Sequence, residues 1–303
     1  MKRNFSSEEQ KQLSLRSDLI EEFTKAGMEM LTEMMNSKEI LKTDLASIMM
    51  FRQIIEVGDA LSILVFNGCV NAAKPLLRSM LENYFQLAYL FQDNEERKAL
   101  QFLYHYEMKN REYFEKLAYP EKGGSFFEKL KSDKHLKGDI ISEYQTETYI
   151  ENIAKIDIVL NGENNKDIAK EYERTIERKT NQRNGKKGKV LHWYELFDGP
   201  KNIEGISIRL NEAALYQFIY RSCSSYTHGE DIIHANLEPD SYETYKISEL
   251  RDLRQLYIVT DNILLLLELS FVLFLKKKIS EQKNFAEKIL PLMRLRREHS
   301  LKK

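Results

Sequence analysis

A chain of 303 residues with 42% hydrophobic and 31% charged side chains has the composition of a folded globular protein with a solvated surface. The formal net charge of −1 excludes a global field that would attract nucleic acid or a membrane, so any such signal must be local. Five prolines and twelve glycines are too few for the many turns of a sandwich or a barrel. The composition favours an all-α fold, a multi-helix bundle of long helices joined by short loops.

The cysteines and the N-terminal sequence indicate the cellular localisation of the protein. Cys69 and Cys223 lie far apart in the sequence and form neither a disulfide framework nor a metal-ligand spacing. Reduced thiols of this kind are the default in a cytosolic protein. No apolar run follows Lys2 and Arg3, so the N-terminus does not have the pattern of a signal peptide. We therefore expect a cytoplasmic protein.

Hydrophobic residues at helical spacing account for most of the first 117 residues. Ser6 to Glu9 has the pattern of a helix N-cap, and it precedes a helix with a methionine-rich face. The fourth helix is strongly aromatic. The four predicted helices span residues 13–35, 40–66, 72–91 and 95–117.

The middle of the chain has a lower apolar density, and we predict a polar insert or subdomain at residues 120–190. It contains a charged, exposed helix at 168–179 and a basic loop at 178–189 with no acidic residue. We expect the loop cations to lack acidic partners, to be mobile and to bind RNA phosphates. A solvated linker explains the loop equally well. The predicted RNA-binding residues are Arg183, Lys186, Lys187 and Lys189.

Three more helices are predicted, at 208–227, 250–275 and 285–301. The apolar block from Ile263 to Leu275 contains Glu268 and is shorter than the roughly twenty residues that span a bilayer. We expect a buried core helix there and no membrane partner. Because no run alternates strictly as a strand does, residues 1–303 are predicted to form a single mainly helical domain.

The most informative motif lies between Tyr220 and Gly229. Arg221 and His228 are seven residues apart, close to two helical turns, so they project from one face. A permanently charged cation beside a group that titrates near neutrality suits chemistry on a phosphate. The alternative is a polar helix end, in which the helix dipole favours His228 and Gly229 is the C-cap.

A second polar set belongs to the third helix. Arg78 and Glu82 share a stripe with aromatic residues, which predicts that the pair points inward and holds the Arg221–His228 helix. An ordinary salt bridge on the helix surface is the alternative. The residues predicted to support this polar core are Arg78, Glu82, Tyr220, Ser224 and Ser225.

Neither a metal nor a cofactor is expected. His228 and His234 are six residues apart with two acidic residues between them, but the chain has neither an H-E-x-x-H motif nor a paired C-x-x-C. It also lacks a Walker loop, a dinucleotide-binding fingerprint, a nucleophile elbow and a kinase signature.

These motifs resemble two families. Arg78-x3-Glu82, Trp193 and Tyr216-x3-Tyr220-x3-Ser224-x3-His228-Gly229 resemble a widespread family of uncharacterised bacterial helical proteins, over roughly residues 40–275. Arg221 followed after six residues by His228 resembles the R-x(4–6)-H signature of the all-helical HEPN superfamily. Ser222 departs from that pattern, because Asn, Asp or His often follows the arginine there.

The HEPN resemblance implies an RNA-cutting enzyme that needs no metal and whose motifs from two protomers meet at a dimer interface. In that case His228 is the acid/base at a ribose 2′-hydroxyl, and Arg221 binds the scissile phosphate. Many such enzymes are toxins or antiphage effectors, which implies an antitoxin or a defence-complex protein as a partner.

The sequence therefore predicts a cytoplasmic, homodimeric, metal-independent HEPN-like endoribonuclease of bacterial defence or a toxin system. The alternative is a non-catalytic helical sensor or partner subunit of a defence complex, whose polar core is structural. A third interpretation is a pocket between the two helices that binds a nucleotide or a small anion.

Overall fold

The computed structural model describes residues 5–37, 39–119, 129, 132–135, 146–182, 185–186, 188–224, 226, 237–239, 245–247, 249–279 and 282–300. Apart from one small hairpin, the regular elements in these ranges are helices. The prediction of an all-α fold is confirmed.

The four helices predicted in the first half of the chain are present. The first begins at Ser7 rather than at Leu13, because the predicted N-cap forms a capping box. The Ser6 N–H donates to Glu9 Oε2 at 2.8 Å, and the Glu9 N–H donates to Ser6 Oγ at 3.2 Å. The helices are α1 (Ser7–Ser37), α2 (Asp44–Phe66), α3 (Val70–Leu90) and α4 (Glu95–Ala118).

The helix predicted at 208–227 is interrupted. Asn211 has a φ of 60°, in the left-handed region that asparagine tolerates better than most residues, and it separates two helical stretches. The second stretch is continuous but changes its winding, so we treat it as one unit, the 213–224 segment. The elements are α7 (Ile203–Arg209), α8 (Ala213–Leu215), a π-helix (Tyr216–Tyr220) and α9 (Arg221–Ser224).

The remaining elements include a hairpin that hydrophobic alternation did not indicate, because each strand has only three residues. β1 (Leu237–Pro239) pairs antiparallel with β2 (Tyr245–Ile247). The other helices are α5 (Thr146–Leu160), α6 (Lys166–Gln182), α10 (Leu256–Lys278) and α11 (Gln282–Ser300), and short 3₁₀ turns lie at Glu163–Asn165 and Trp193–Glu195.

The chain forms two compact units, one of residues 1–95 with 203–303 and one of residues 96–202. The polar insert predicted at 120–190 lies within the second unit. Whether the units fold together as the single domain expected from the sequence stays a prediction.

The first unit is built around α10, which packs against α1, α2 and α3. Phe274 stacks on Phe51 with ring centroids 4.0 Å apart, and Phe271 contacts both Phe51 and Phe23. By length and composition α10 could cross a membrane, and half of its most apolar window is buried in this structure. Its packing agrees with the expected core helix at 263–275.

The second unit has its own apolar core, to which α6 contributes. The helix predicted at 168–179 was expected to be exposed, and this is wrong for one of its faces, because Ile168 and Tyr172 are buried. The tyrosine packs edge-on against Tyr104 of α4. The core residues are Tyr104, Ile156, Leu160, Ile168, Tyr172, Val190 and Leu196.

Close approach of α1 to its neighbours depends on Gly27. A Cβ at this position would lie 2.9 Å from Ile55 and from Phe271, so a larger side chain displaces core residues on two other helices. We expect Gly27→Val to lower the free energy of unfolding by roughly 1–3 kcal/mol, the usual range for overpacking a core. Urea titration followed by circular dichroism measures this change.

The exposed Met35 on the same helix provides the control, since Met35→Val introduces the same side chain outside the core. Equal effects of the two substitutions would show that Gly27 does not set the helix spacing.

Candidate functional site

A polar stripe on α3 faces the 213–224 segment. Lys74, Arg78 and Glu82 are four residues apart and lie on one side of the helix, as the α-helical period requires. Residues of α3 contact α7, the π-helix and α9. Arg78 and Glu82 were predicted as site residues from the sequence, and Lys74, which was not, lies at the same spacing of four.

Arg78 is the centre of the site. Its Nη2 donates to the Tyr220 hydroxyl at 2.6 Å, its Nη1 donates to Ser224 Oγ at 3.1 Å, and its Nε donates to Glu82 Oε1 at 3.2 Å. The guanidinium carbon also lies 4.3 Å from the centre of the Tyr220 ring, within cation–π distance. The predicted contact between the α3 pair and the helix of Tyr220 and Ser224 is therefore present. We call these four residues the Arg78 cluster.

The Arg78–Glu82 pair is less buried than the sequence suggested. Arg78 is 17% exposed and Glu82 is 34% exposed, so water still reaches the carboxylate. The penalty of about 3–5 kcal/mol for breaking a fully buried pair does not apply here. Burial raises the pKa of the Tyr220 hydroxyl, and the neighbouring Glu82 charge raises it further, so this phenol stays protonated at neutral pH.

Side-chain contacts within the segment surround its π-helical turn. The Tyr216 and Tyr220 rings stack with centroids 4.8 Å apart. The Ser222 Oγ lies 2.8 Å from the Phe218 carbonyl and 2.9 Å from the Ile219 carbonyl, so the hydroxyl donates to the backbone at the end of the turn. Ser222, which departs from the HEPN pattern, thus has a backbone partner.

The predicted catalytic pair is described only in part. Arg221 is exposed on α9, and its Nη1 donates to Gln217 Oε1 at 3.3 Å one turn earlier. His228 and Ser225 lie outside the described residues. The predicted common face of Arg221 and His228 stays a prediction.

A buried lysine lies next to the Arg78 cluster. Lys74 is 4% exposed, and its Nζ sits 3.7 Å from the centre of the Tyr226 ring. Burial lowers the pKa of Lys74 to about 8, and the negative charge of the nearby Asp252 carboxylate opposes this shift. Burial also raises the pKa of the Cys223 thiol, so cysteine chemistry is suppressed at neutral pH.

Tyr84 and Glu212 form a further contact that the sequence did not reveal. The Tyr84 hydroxyl donates to Glu212 Oε1 at 2.8 Å, which ties α3 to the start of the 213–224 segment. Burial raises the pKa of the Glu212 carboxyl, and the tyrosine hydrogen bond partly opposes this shift. Residues 128 positions apart in the sequence have no spacing signal, so this pair could not have been inferred.

The basic loop in the second unit differs from its prediction. The expectation that its cations lack acidic partners is wrong for Arg178, Lys179 and Lys189. Their partners are Asp198, Glu195 and Glu112, with a distance of 3.0 Å for Lys189. These carboxylates lie outside the loop. The absence of acidic residues within the loop therefore did not indicate that its cations lack acidic partners.

Two backbone N–H groups of the loop form hydrogen bonds to Thr180 at the end of α6. The N–H of Gly185 donates to the Thr180 carbonyl at 3.1 Å, and the N–H of Gly188 donates to Thr180 Oγ1 at 2.6 Å. Lys186 is exposed, whereas Arg183 and Lys187 lie outside the described residues. The predicted mobility is thus not supported where the loop is described, and its RNA-binding role stays a prediction.

Within the described ranges, no group of three or more His, Cys, Asp or Glu side chains is arranged to hold a metal ion. His234 and the acidic residues beside it lie outside those ranges.

The sequence profile of a family of unknown function, DUF5677, matches residues 44–244, more than half of the chain. The chain belongs to this family. The match covers both sides of the Arg78 cluster, whereas α1 and α10, which complete the core, lie outside it. No curated protein and no solved structure matches the chain.

The Arg78 cluster predicts a specific loss of stability. Lysine cannot replace the three directed hydrogen bonds of the guanidinium, so Arg78→Lys should lower the free energy of unfolding by about 2 kcal/mol. Amide hydrogen exchange in residues 213–224 should accelerate. Urea titration and hydrogen exchange by mass spectrometry measure the two effects.

Arg52 and Glu56 on α2 offer the matched control, because they form an exposed pair at the same i,i+4 spacing, 3.8 Å apart. Arg52→Lys should change stability by less than about 0.5 kcal/mol. If Arg78→Lys proved equally mild, the cluster would not anchor the segment.

Lys74 makes stability depend on alkaline pH. Its folded pKa of about 8 lies below the ordinary 10.5, so between these values the unfolded state binds the proton and the folded state does not. The free energy of unfolding should therefore gain a positive slope of up to about 1.4 kcal/mol per pH unit from this residue.

Lys74→Met should remove that slope while preserving the length of the side chain, as measured by urea titrations from pH 7 to 10.5. The exposed Lys277→Met is the control and should keep the slope of the wild type. An identical pH profile for wild type and Lys74→Met would refute the assignment.

Proposed function

We propose that this protein is a metal-independent, HEPN-like endoribonuclease that uses Arg221 and His228. The observation that carries the proposal is the exposed Arg221, presented by a segment that the Arg78 cluster joins to α3. An arginine that is accessible and held on an anchored helix can bind a phosphate without first being rearranged.

The proposed chemistry is an internal transfer on the RNA backbone. His228 removes the proton from a ribose 2′-hydroxyl, and the 2′-oxygen attacks the adjacent phosphorus. The bond to the 5′-oxygen of the next nucleotide breaks, that oxygen takes up a proton from water, and His228 then releases to solvent the proton that it accepted. Arg221 stabilises the charge that develops on the phosphate oxygens. The products are a 2′,3′-cyclic phosphate and a 5′-hydroxyl, and no metal-activated water is needed.

The biological part of the proposal rests on the HEPN resemblance. It comprises a cytoplasmic homodimer in which the motifs of two copies meet, and an effector of antiphage defence or a toxin controlled by a partner protein. Lys186 and its basic neighbours would assist RNA binding.

A second candidate is a non-catalytic sensor or partner subunit of a defence complex. It is favoured by the engagement of Arg78 with three internal partners, Glu82, Tyr220 and Ser224, which is what a structural polar core requires. Under this alternative Arg221 and His228 would bind a partner protein or stabilise the end of the helix.

Substitution of the two motif residues separates the candidates. Arg221→Ala and His228→Ala should each reduce RNA cleavage by about 10²–10⁴-fold, the usual contribution of an acid/base catalyst or a charge-stabilising donor, and cleavage by the wild type should persist in EDTA. A fluorescent single-stranded RNA and denaturing gels measure the rate.

Arg209→Ala is the control, because Arg209 is an exposed arginine outside the motif. Circular dichroism should show that all variants fold. Full activity in the Arg221→Ala/His228→Ala double variant would reject these two residues as the catalytic pair. Absence of RNA cleavage by the wild type would reject the nuclease and leave the non-catalytic candidate.

A further inference from the structure

The solvent-facing side of the 213–224 segment carries an exposed aromatic ring. Phe218 is 78% exposed, although a phenylalanine gains free energy when its ring leaves water. Its neighbours on that face are small or polar, since Ala213, Ala214 and Gln217 are also exposed. The ring is therefore accessible on one side of the helix instead of belonging to the core.

The segment itself carries one positive charge, Arg221. Arg221 lies three residues after Phe218, and side chains at this spacing are neighbours on a helix surface. Residues 213–224 contain this one cation and no carboxylate. An aromatic ring beside an arginine, without a nearby acid in the segment, matches the two groups of a nucleotide, a flat base and an anionic phosphate.

The contacts around Phe218 hold its backbone in place, which favours a role for the exposed ring in ligand binding. The Phe218 carbonyl accepts the Ser222 hydroxyl at 2.8 Å, and the stacked Tyr216 and Tyr220 rings flank Phe218 in the sequence. Tyr220 is in turn bonded to Arg78. These contacts hold the helical backbone that carries Phe218 and join it to α3, so binding a ligand on the ring requires little further ordering of the chain.

We propose that Phe218 is a stacking platform for an unpaired base of single-stranded RNA, with a neighbouring phosphate of the same strand on Arg221. The inference deepens the proposed function, because it names an unpaired nucleotide at the cleavage position and makes Phe218 a positioning residue. An RNA duplex, whose bases are already stacked and paired, is excluded from this platform. A protein surface is the competing occupant, and the cation on the face favours the anionic strand.

Binding can be measured without cleavage. Single-stranded RNA of mixed sequence with 2′-O-methyl groups has no free 2′-hydroxyl, so its affinity is independent of the proposed chemistry. Fluorescence anisotropy should show that Phe218→Ala weakens binding about tenfold, the effect of losing one base–aromatic stack, and that Phe218→Trp keeps the affinity of the wild type. Ile258→Ala on α10, equally an exposed apolar residue, should have no effect.

Two further measurements identify the occupant. The same sequence annealed into a duplex should bind with equal affinity to wild type and Phe218→Ala. Light scattering should give the same molecular mass for both proteins, and their melting temperatures should agree.

The proposal is overturned if Phe218→Ala binds the single strand as tightly as the wild type, or if the RNA is not bound at all. A change of molecular mass in Phe218→Ala also overturns it, because the ring would then belong to a contact between copies of the chain. Loss of affinity in Phe218→Ala together with no RNA cleavage by the wild type would keep the platform and reject the proposed nuclease.

Discussion

The guanidinium of Arg78 joins two helical segments that are far apart in the sequence, and the candidate site depends on this connection. Its hydrogen bonds to Tyr220 and Ser224 hold the 213–224 segment against α3, which packs in turn on the central helix α10. A guanidinium can serve several acceptors because its donors are rigid and point in fixed directions. The exposed Arg221 thus belongs to a helix whose position is fixed by hydrogen bonds to α3.

Much of the fold could be predicted because helical periodicity is a local property. The first four helices, the capping box at Ser6 and the core role of α10 all follow from residues close together in the sequence. The break at Asn211 and the β1–β2 hairpin could not, because a single left-handed residue and strands of three residues leave no periodic signal.

The same distinction applies to the site. The spacing of four along α3 indicated Arg78 and Glu82, and it extends to Lys74. Contacts between residues far apart in the sequence could not be predicted from spacing. The hydrogen bond of Tyr84 to Glu212 and the ion pair of Lys179 with Glu195 are two examples. The basic loop shows the consequence, because a segment without acids was expected to be unpaired and yet acquires carboxylates from elsewhere in the second unit.

The central claim, cleavage through a ribose 2′-hydroxyl without a metal, is tested most directly by the chemical ends of the RNA products. Mass spectrometry of a defined single-stranded RNA incubated with the wild-type protein in EDTA should show 2′,3′-cyclic phosphates and 5′-hydroxyls. Products with 3′-hydroxyls and 5′-phosphates would require an attacking water and would contradict the account, as would RNA that remains intact.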